Sequence, residues 1–146
     1  MGLLDFFGKS EKAAAAPKFK TVQKVPWVRS PKGGFRKLVL VDTDDEKLKE
    51  GGVVVVWHGG IKPAWVYVAD AASVGREVAD IIKNKEILSY ESRGGLYVTW
   101  VHILPEFRPG VVRYLIDHMH PVVENRSAPS GSVEPIPVYF PGKGDV

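Results

Sequence analysis

The stretch VVVVWHGG, residues 53–60, constrains this chain more than any other. Four consecutive β-branched residues are stiff at χ1 and favour a strand. Neighbours in a strand point to opposite faces, so a run without polar alternation must be covered on both sides. AWVYVAD, residues 64–70, follows after the glycines and IKP, which makes the pair a hairpin. The chain therefore has to build a layered fold with packing above and below its sheet.

The flanking segments supply those layers. FRKLVLVDT, residues 35–43, reads as a first strand, followed by the charged turn DDEKLKEGG. Val74, Val78, Ile81 and Ile82 form a helix stripe over residues 73–85, with Asp70 or Ser73 available as N-cap. GGLYVTWVHIL, residues 94–104, is the next strand. Pro109 suits the first turn of a second helix that carries Val111, Leu115 and Met119 on one face and stops at Pro121. VEPIPVYFPGKGDV alternates prolines with apolar residues, as an edge strand or an extended arm over the domain does. The expected fold is α/β of the α+β type: a small mixed sheet with a hairpin followed by helix, strand and helix. It occupies residues 35–125, between an N-terminal arm at 1–34 and an extended C-terminal arm at 126–146.

Composition narrows the chemistry. With 146 residues, 45% of them hydrophobic, the chain can bury one core without staples. It has no cysteine, which excludes disulfides, thiolate zinc sites and cysteine nucleophiles. No window approaches the roughly 18 apolar residues of a membrane span, and MGLLDFFGKSEK lacks the pattern of a signal peptide, so a cytoplasmic location is expected. Residues 1–37 hold nine Lys or Arg against Asp5 and Glu11, a net +7 that leaves −4 for residues 38–146. Such an arm contacts nucleic acid, an acidic protein surface within a larger assembly or, weakly, an anionic membrane. Leu3, Leu4, Phe6 and Phe7 form an apolar hook for the domain itself, a partner or a membrane surface.

Candidate sites follow from residue type and spacing. His118 and His120 lie two apart on the second helix and so point to different faces, which is poor geometry for one metal ion. No G-x-S-x-G elbow is present, and the glycines of FPGKGDV lack the phosphate-loop spacing. PWVRSPKGGFRK brings Trp27, Arg29, Lys32 and Arg36 into a contact loop, continuing the cations Lys18, Lys20 and Lys24. On the strands, Trp57, Trp65, Tyr67, Tyr97 and Trp100 form either a stacking platform for bases or core cross-strand pairs.

The order of strands and helices, with GVV at residues 52–54, YVA at 67–69 and LIDHMHPVVEN at 115–125, resembles the GIY-YIG nuclease domain. The resemblance covers residues 52–125 and implies a hairpin with two half-motifs, a helix arginine and a glutamate that binds one magnesium ion. This sequence departs from that pattern. The first tyrosine falls on Val54, the glycine on Ala69, the arginine near Glu77 with Arg76 adjacent, and the glutamate near Val112 beside Arg113. Removing one charge-stabilising interaction at a reacting phosphate costs about 2.7–4 kcal/mol, so losing several implies a silent relative. Tyr67, Arg76, Arg113 and Asn125 would persist as binding residues, without a cofactor. An active but divergent nuclease would instead use magnesium with Tyr67, Arg76 and a carboxylate such as Glu77 or Asp117.

Overall fold

The valine run folds with packing on both sides. In the computed structural model, which describes residues 21–129 and 131–142, β1 (Arg36–Lys37), β2 (Gly52–His58), β3 (Ala64–Ala71) and β4 (Leu96–His102) form one sheet in the order β1-β4-β2-β3. Val53 and Val55 enter the core on one face, Val54 and Val56 the core on the other, and all four are fully buried. Burying one such side chain is worth about 1.5–3 kcal/mol relative to leaving it exposed. The α+β class stands, and every pairing between the named strands is antiparallel. A parallel contact occurs where Gln23 bridges Val138.

The first strand is much shorter than residues 35–43. A longer strand would send Leu38 and Leu40 to the same face, yet Leu38 is fully buried and Leu40 is 76% exposed. The chain leaves the sheet after Lys37 and makes a 3₁₀ turn, Leu38–Leu40, then a second one, Glu46–Leu48.

Helix α1 (Val74–Ile82) follows β3 directly. Its N-cap is Ser73, whose hydroxyl accepts the Arg76 N–H at 3.4 Å; Asp70 lies within β3 and caps nothing. A short helix, α2 (Lys85–Leu88), comes next, capped by the Asn84 side chain on the Ile87 N–H at 3.0 Å. Helix α3 (Arg108–Met119) starts as its proline requires and closes with His120 in the left-handed region at φ 52°. Helices α1 and α2 and the 3₁₀ segment cover one face of the sheet, burying Leu38, Leu48, Val78 and Ile81. On the opposite face α3 buries Val111, Val112 and Leu115 against Val53, Val55 and Val101.

The two flanking segments complete that second layer. The Ile136 N–H donates to the Gly110 carbonyl at 2.9 Å, and a Cβ on Gly110 would sit 2.7 Å from Ile136 Cδ1, so only glycine lets this segment lie on α3. Val25 and Trp27 pack into the same core, at 1% and 3% exposure, and Trp27 Nε1 donates to the Tyr139 carbonyl at 2.8 Å. Trp27 is thus a core residue and offers no contact surface, although polar neighbours in the sequence placed it in an exposed loop. The packed body takes in Val25 and Trp27 on one side and Ile136 and Val138 on the other. Leu3, Leu4, Phe6, Phe7, Lys18 and Lys20 lie outside the described residues.

The outer edge of β3 is closed by the chain that follows α3. Val122 and Val123 donate their N–H groups to the carbonyls of Trp65 and Val66, and Asn125 Nδ2 donates to the Val68 carbonyl at 2.9 Å. No described helix is long and apolar enough to cross a membrane.

Candidate functional site

The positions singled out by the nuclease resemblance fall on two sides of the sheet. Tyr67 is half-buried on the α1 side, with Arg76 exposed on the helix and its neighbour Glu77 half-buried. Val112 is fully buried in the core beneath α3 on the opposite face. Its neighbour Arg113 forms a two-pronged ion pair with Asp117, at 3.1 and 2.5 Å, and donates to the Pro129 carbonyl at 3.3 Å. The sheet therefore separates Tyr67, Arg76 and Glu77 from Arg113 and Asp117. Asn125 is spent on the backbone: its amide holds Val68, and its Oδ1 accepts the Ser127 N–H at 2.9 Å.

The surroundings of Tyr67 are acidic. Burial raises the Glu77 carboxyl above its ordinary pKa, and Asp80 and Asp70 raise it further. Burial also raises the Tyr67 phenol, with the charge of Glu77 adding to it. Asp70 is held by Arg108 Nε at 2.8 Å. A phosphate brought to Tyr67 would meet carboxylates first.

The histidines do not gather. His118 stacks on Tyr114 at 4.1 Å with Nδ1 2.9 Å from the Tyr114 carbonyl, while His120 forms the helix cap. Among the described residues, no three His, Asp or Glu side chains come together as metal ligands do.

A different site is assembled at the far end of the sheet, where the hairpin turns. Trp57, Trp65 and Tyr97 are cross-strand partners on β2, β3 and β4, and all three are half-buried. Trp57 lies nearly parallel to Tyr97, with centroids 6.0 Å apart and planes at 20°, and meets Trp65 edge-on at 5.8 Å. Phe35 closes on Trp57 at 5.0 Å and Phe140 on Trp65 at 5.7 Å. The result is an aromatic row across three strands, at the end of the face that α3 does not fill.

Cations surround this row. The Arg29 guanidinium sits 4.3 Å above the Phe35 ring. Lys37 is the register partner of Tyr97 and is exposed, and Lys62 is exposed in the hairpin turn beside Ile61. On the other face of the same end, His58 stacks on Tyr90 at 5.8 Å and Arg93 lies 5.2 Å over that ring. Gly94, at φ +95°, makes this close packing possible: a Cβ there would be 2.7 Å from Gly60 Cα. The acid nearest in sequence, Glu91, is occupied by the Leu96 N–H at 3.0 Å.

Of the residues expected in a contact loop, Arg29 joins the aromatic row. Lys32 is exposed in the adjoining turn, and Lys24 is exposed beyond Trp27. Arg36 turns to the opposite face, over Trp100, whose ring is itself 4% exposed and no platform. Lys37, Lys62, Arg93 and Phe140 were not singled out from sequence. Lys62 lies in the turn of the hairpin that carries Trp57 and Trp65, so that signal was available, whereas Phe140 reaches the row only through tertiary folding.

In comparisons with known proteins, the chain matches no family model, no curated protein and no solved structure.

Proposed function

We propose that this protein is a non-catalytic binding module that holds single-stranded nucleic acid on the aromatic, basic end of its sheet. The lysines before Thr21 add phosphate contacts. The observation that carries this reading is the half-buried row Tyr97, Trp57 and Trp65, ringed by Arg29, Lys37 and Lys62. Base stacking on aromatic side chains is worth about 1–3 kcal/mol per base and tolerates any sequence. The acidic surroundings of Tyr67 favour binding elsewhere and argue against phosphodiester chemistry at that residue.

The test is a titration of tryptophan fluorescence with a single-stranded oligonucleotide at two salt concentrations. Saturable quenching that weakens with salt, and weakens further in Tyr97→Leu, is expected. A signal that does not saturate would sink the reading. One observation favours a second reading, contact with an anionic membrane surface: Ile61 is fully exposed at the tip of the turn, next to Lys62 and near Trp65. Capture by anionic vesicles that Ile61→Asp abolishes, without competition from oligonucleotide, selects that reading instead.

A further inference from the structure

On the face of the sheet that carries α1, a pocket of about 350 Å3 opens between β1, β4 and the chain from Leu40 to Leu48. Trp100 lies at its base and Arg36 and His102 in its wall, while Leu40, Asp42, Asp45 and Lys47 are exposed at its rim. Arg36 is fixed twice: its guanidinium lies 5.4 Å over the Trp100 ring, and Nη1 donates to the Arg29 carbonyl at 2.9 Å. Among the described residues, no carboxylate lies within ion-pair distance of Arg36 or Lys47.

The acids of the pocket are equally uncommitted. Asp42 and Asp45 each accept one backbone N–H, from Asp44 at 3.1 Å and from Lys47 at 3.0 Å, which leaves most of each carboxylate's acceptor capacity open. His102 directs Nδ1 at the Gly51 carbonyl at 3.2 Å. Val28, Val41 and Leu48 supply apolar wall, and Leu40 stands 76% exposed at the mouth. The volume is at the lower end of the range for small-molecule sites, about 300–1,000 Å3.

A preorganised guanidinium, free carboxylates and apolar wall within one cavity define a ligand with both charges and a short apolar body. We propose that this pocket binds a small zwitterion with an apolar side chain, the chemistry of a free amino acid. Its carboxylate sits on Arg36, its ammonium on Asp42 and Asp45, and its side chain against Leu40 and Val41. A simple apolar acid would leave the rim carboxylates unmatched, and a simple amine would leave Arg36 so.

Calorimetric titration of the full chain with leucine, N-acetyl-leucine and leucine amide tests this. Leucine should bind saturably, and each blocked form should bind at least tenfold more weakly. Asp45→Asn, which keeps an oxygen for the Lys47 N–H, should weaken leucine and leave N-acetyl-leucine unchanged. Leu40→Asp alters an exposed position, where folding is not at stake, and should weaken leucine at least fivefold. The proposal is overturned by equal affinity for the three forms, by leucine binding that neither substitution changes, or by no saturable binding of leucine, isoleucine, methionine and phenylalanine.

Discussion

Two regions of the sheet carry opposite charge and differ in what stands behind it. At the hairpin end, Arg29, Lys37 and Lys62 lie on or beside aromatic rings, and the nearby acid Glu91 is tied into its own turn. On the α1 side Glu77 lies beside Tyr67, Asp80 and Asp70 are close enough to Glu77 to raise its pKa, and Arg108 pairs with Asp70. Tyr67 is the register partner of Val56 and Trp65 that of Trp57, so the two regions adjoin along the strands and are separated by the sheet itself, with Tyr67 packed against the α1-side core and Trp57 and Trp65 against the α3-side core. Arg108 is spent on Asp70, whereas Lys37 and Lys62 stand exposed beside the aromatic row, which is where the proposed polyanion would bind.

The largest expected effect tests whether the aromatic end rests on the core. Trp27→Ala removes a buried indole and its bond to the Tyr139 carbonyl, next to the segment that carries Phe140. The loss should be about 3–5 kcal/mol, read as a lower denaturant midpoint. For the same reason, deleting residues 1–37 removes Val25, Trp27, Arg36 and Lys37 and should unfold the chain. Truncation to Thr21 keeps every core residue named above and is the proper way to ask what the arm contributes.

Arg108→Ala comes next and probes the acidic region alone. It strips Asp70 of its partner at 2.8 Å and the Ile103 carbonyl of a donor at 3.1 Å. The expected cost is about 1–3 kcal/mol in urea unfolding, with oligonucleotide affinity unchanged. Lys37→Gln with Lys62→Gln should do the reverse. Stability should move by less than about 0.5 kcal/mol, as for exposed positions generally. The slope of log affinity against log salt should flatten by about 0.7 for each phosphate that is no longer neutralised. If Arg108→Ala and the double lysine substitution each moved stability and binding together, the separation of the two regions would be wrong.

Much of this architecture was legible in the sequence, for identifiable reasons. The valine run dictated a two-sided sheet because period 2 leaves no alternative, and Pro109 marked the start of α3 because its missing N–H is harmless there. The hidden parts depended on contacts distant along the chain. Trp27 sits among prolines and cations, and its burial follows from a hydrogen bond to a residue 112 positions away. Asp70 had the right type and spacing for a helix cap, but a carboxylate still within β3 was claimed by Arg108. The site was half visible: Trp57, Trp65 and Tyr97 could be named, but their shared face depended on a bulge between Val56 and Trp57 that shifts the register.

The smallest expected effect isolates the acidic region by pH. Glu77 has its pKa raised in the folded chain by burial, then by Asp80 and Asp70, so the native state binds its proton more tightly than the unfolded one. Between the unfolded and folded pKa values, stability must therefore fall as pH rises. The favourable contribution is complete below the ordinary carboxylate range and gone above the raised value. Glu77→Gln removes this dependence, because an amide has no proton to lose. At neutral pH the variant should be the more stable protein, by less than about 1 kcal/mol since the group is half exposed. The advantage should vanish as pH drops through the carboxylate range. Denaturant midpoints of both proteins across that range give the comparison directly. A variant less stable than the parent at neutral pH would mean that the Glu77 charge is favourably partnered, and that the region around it is not over-acidic.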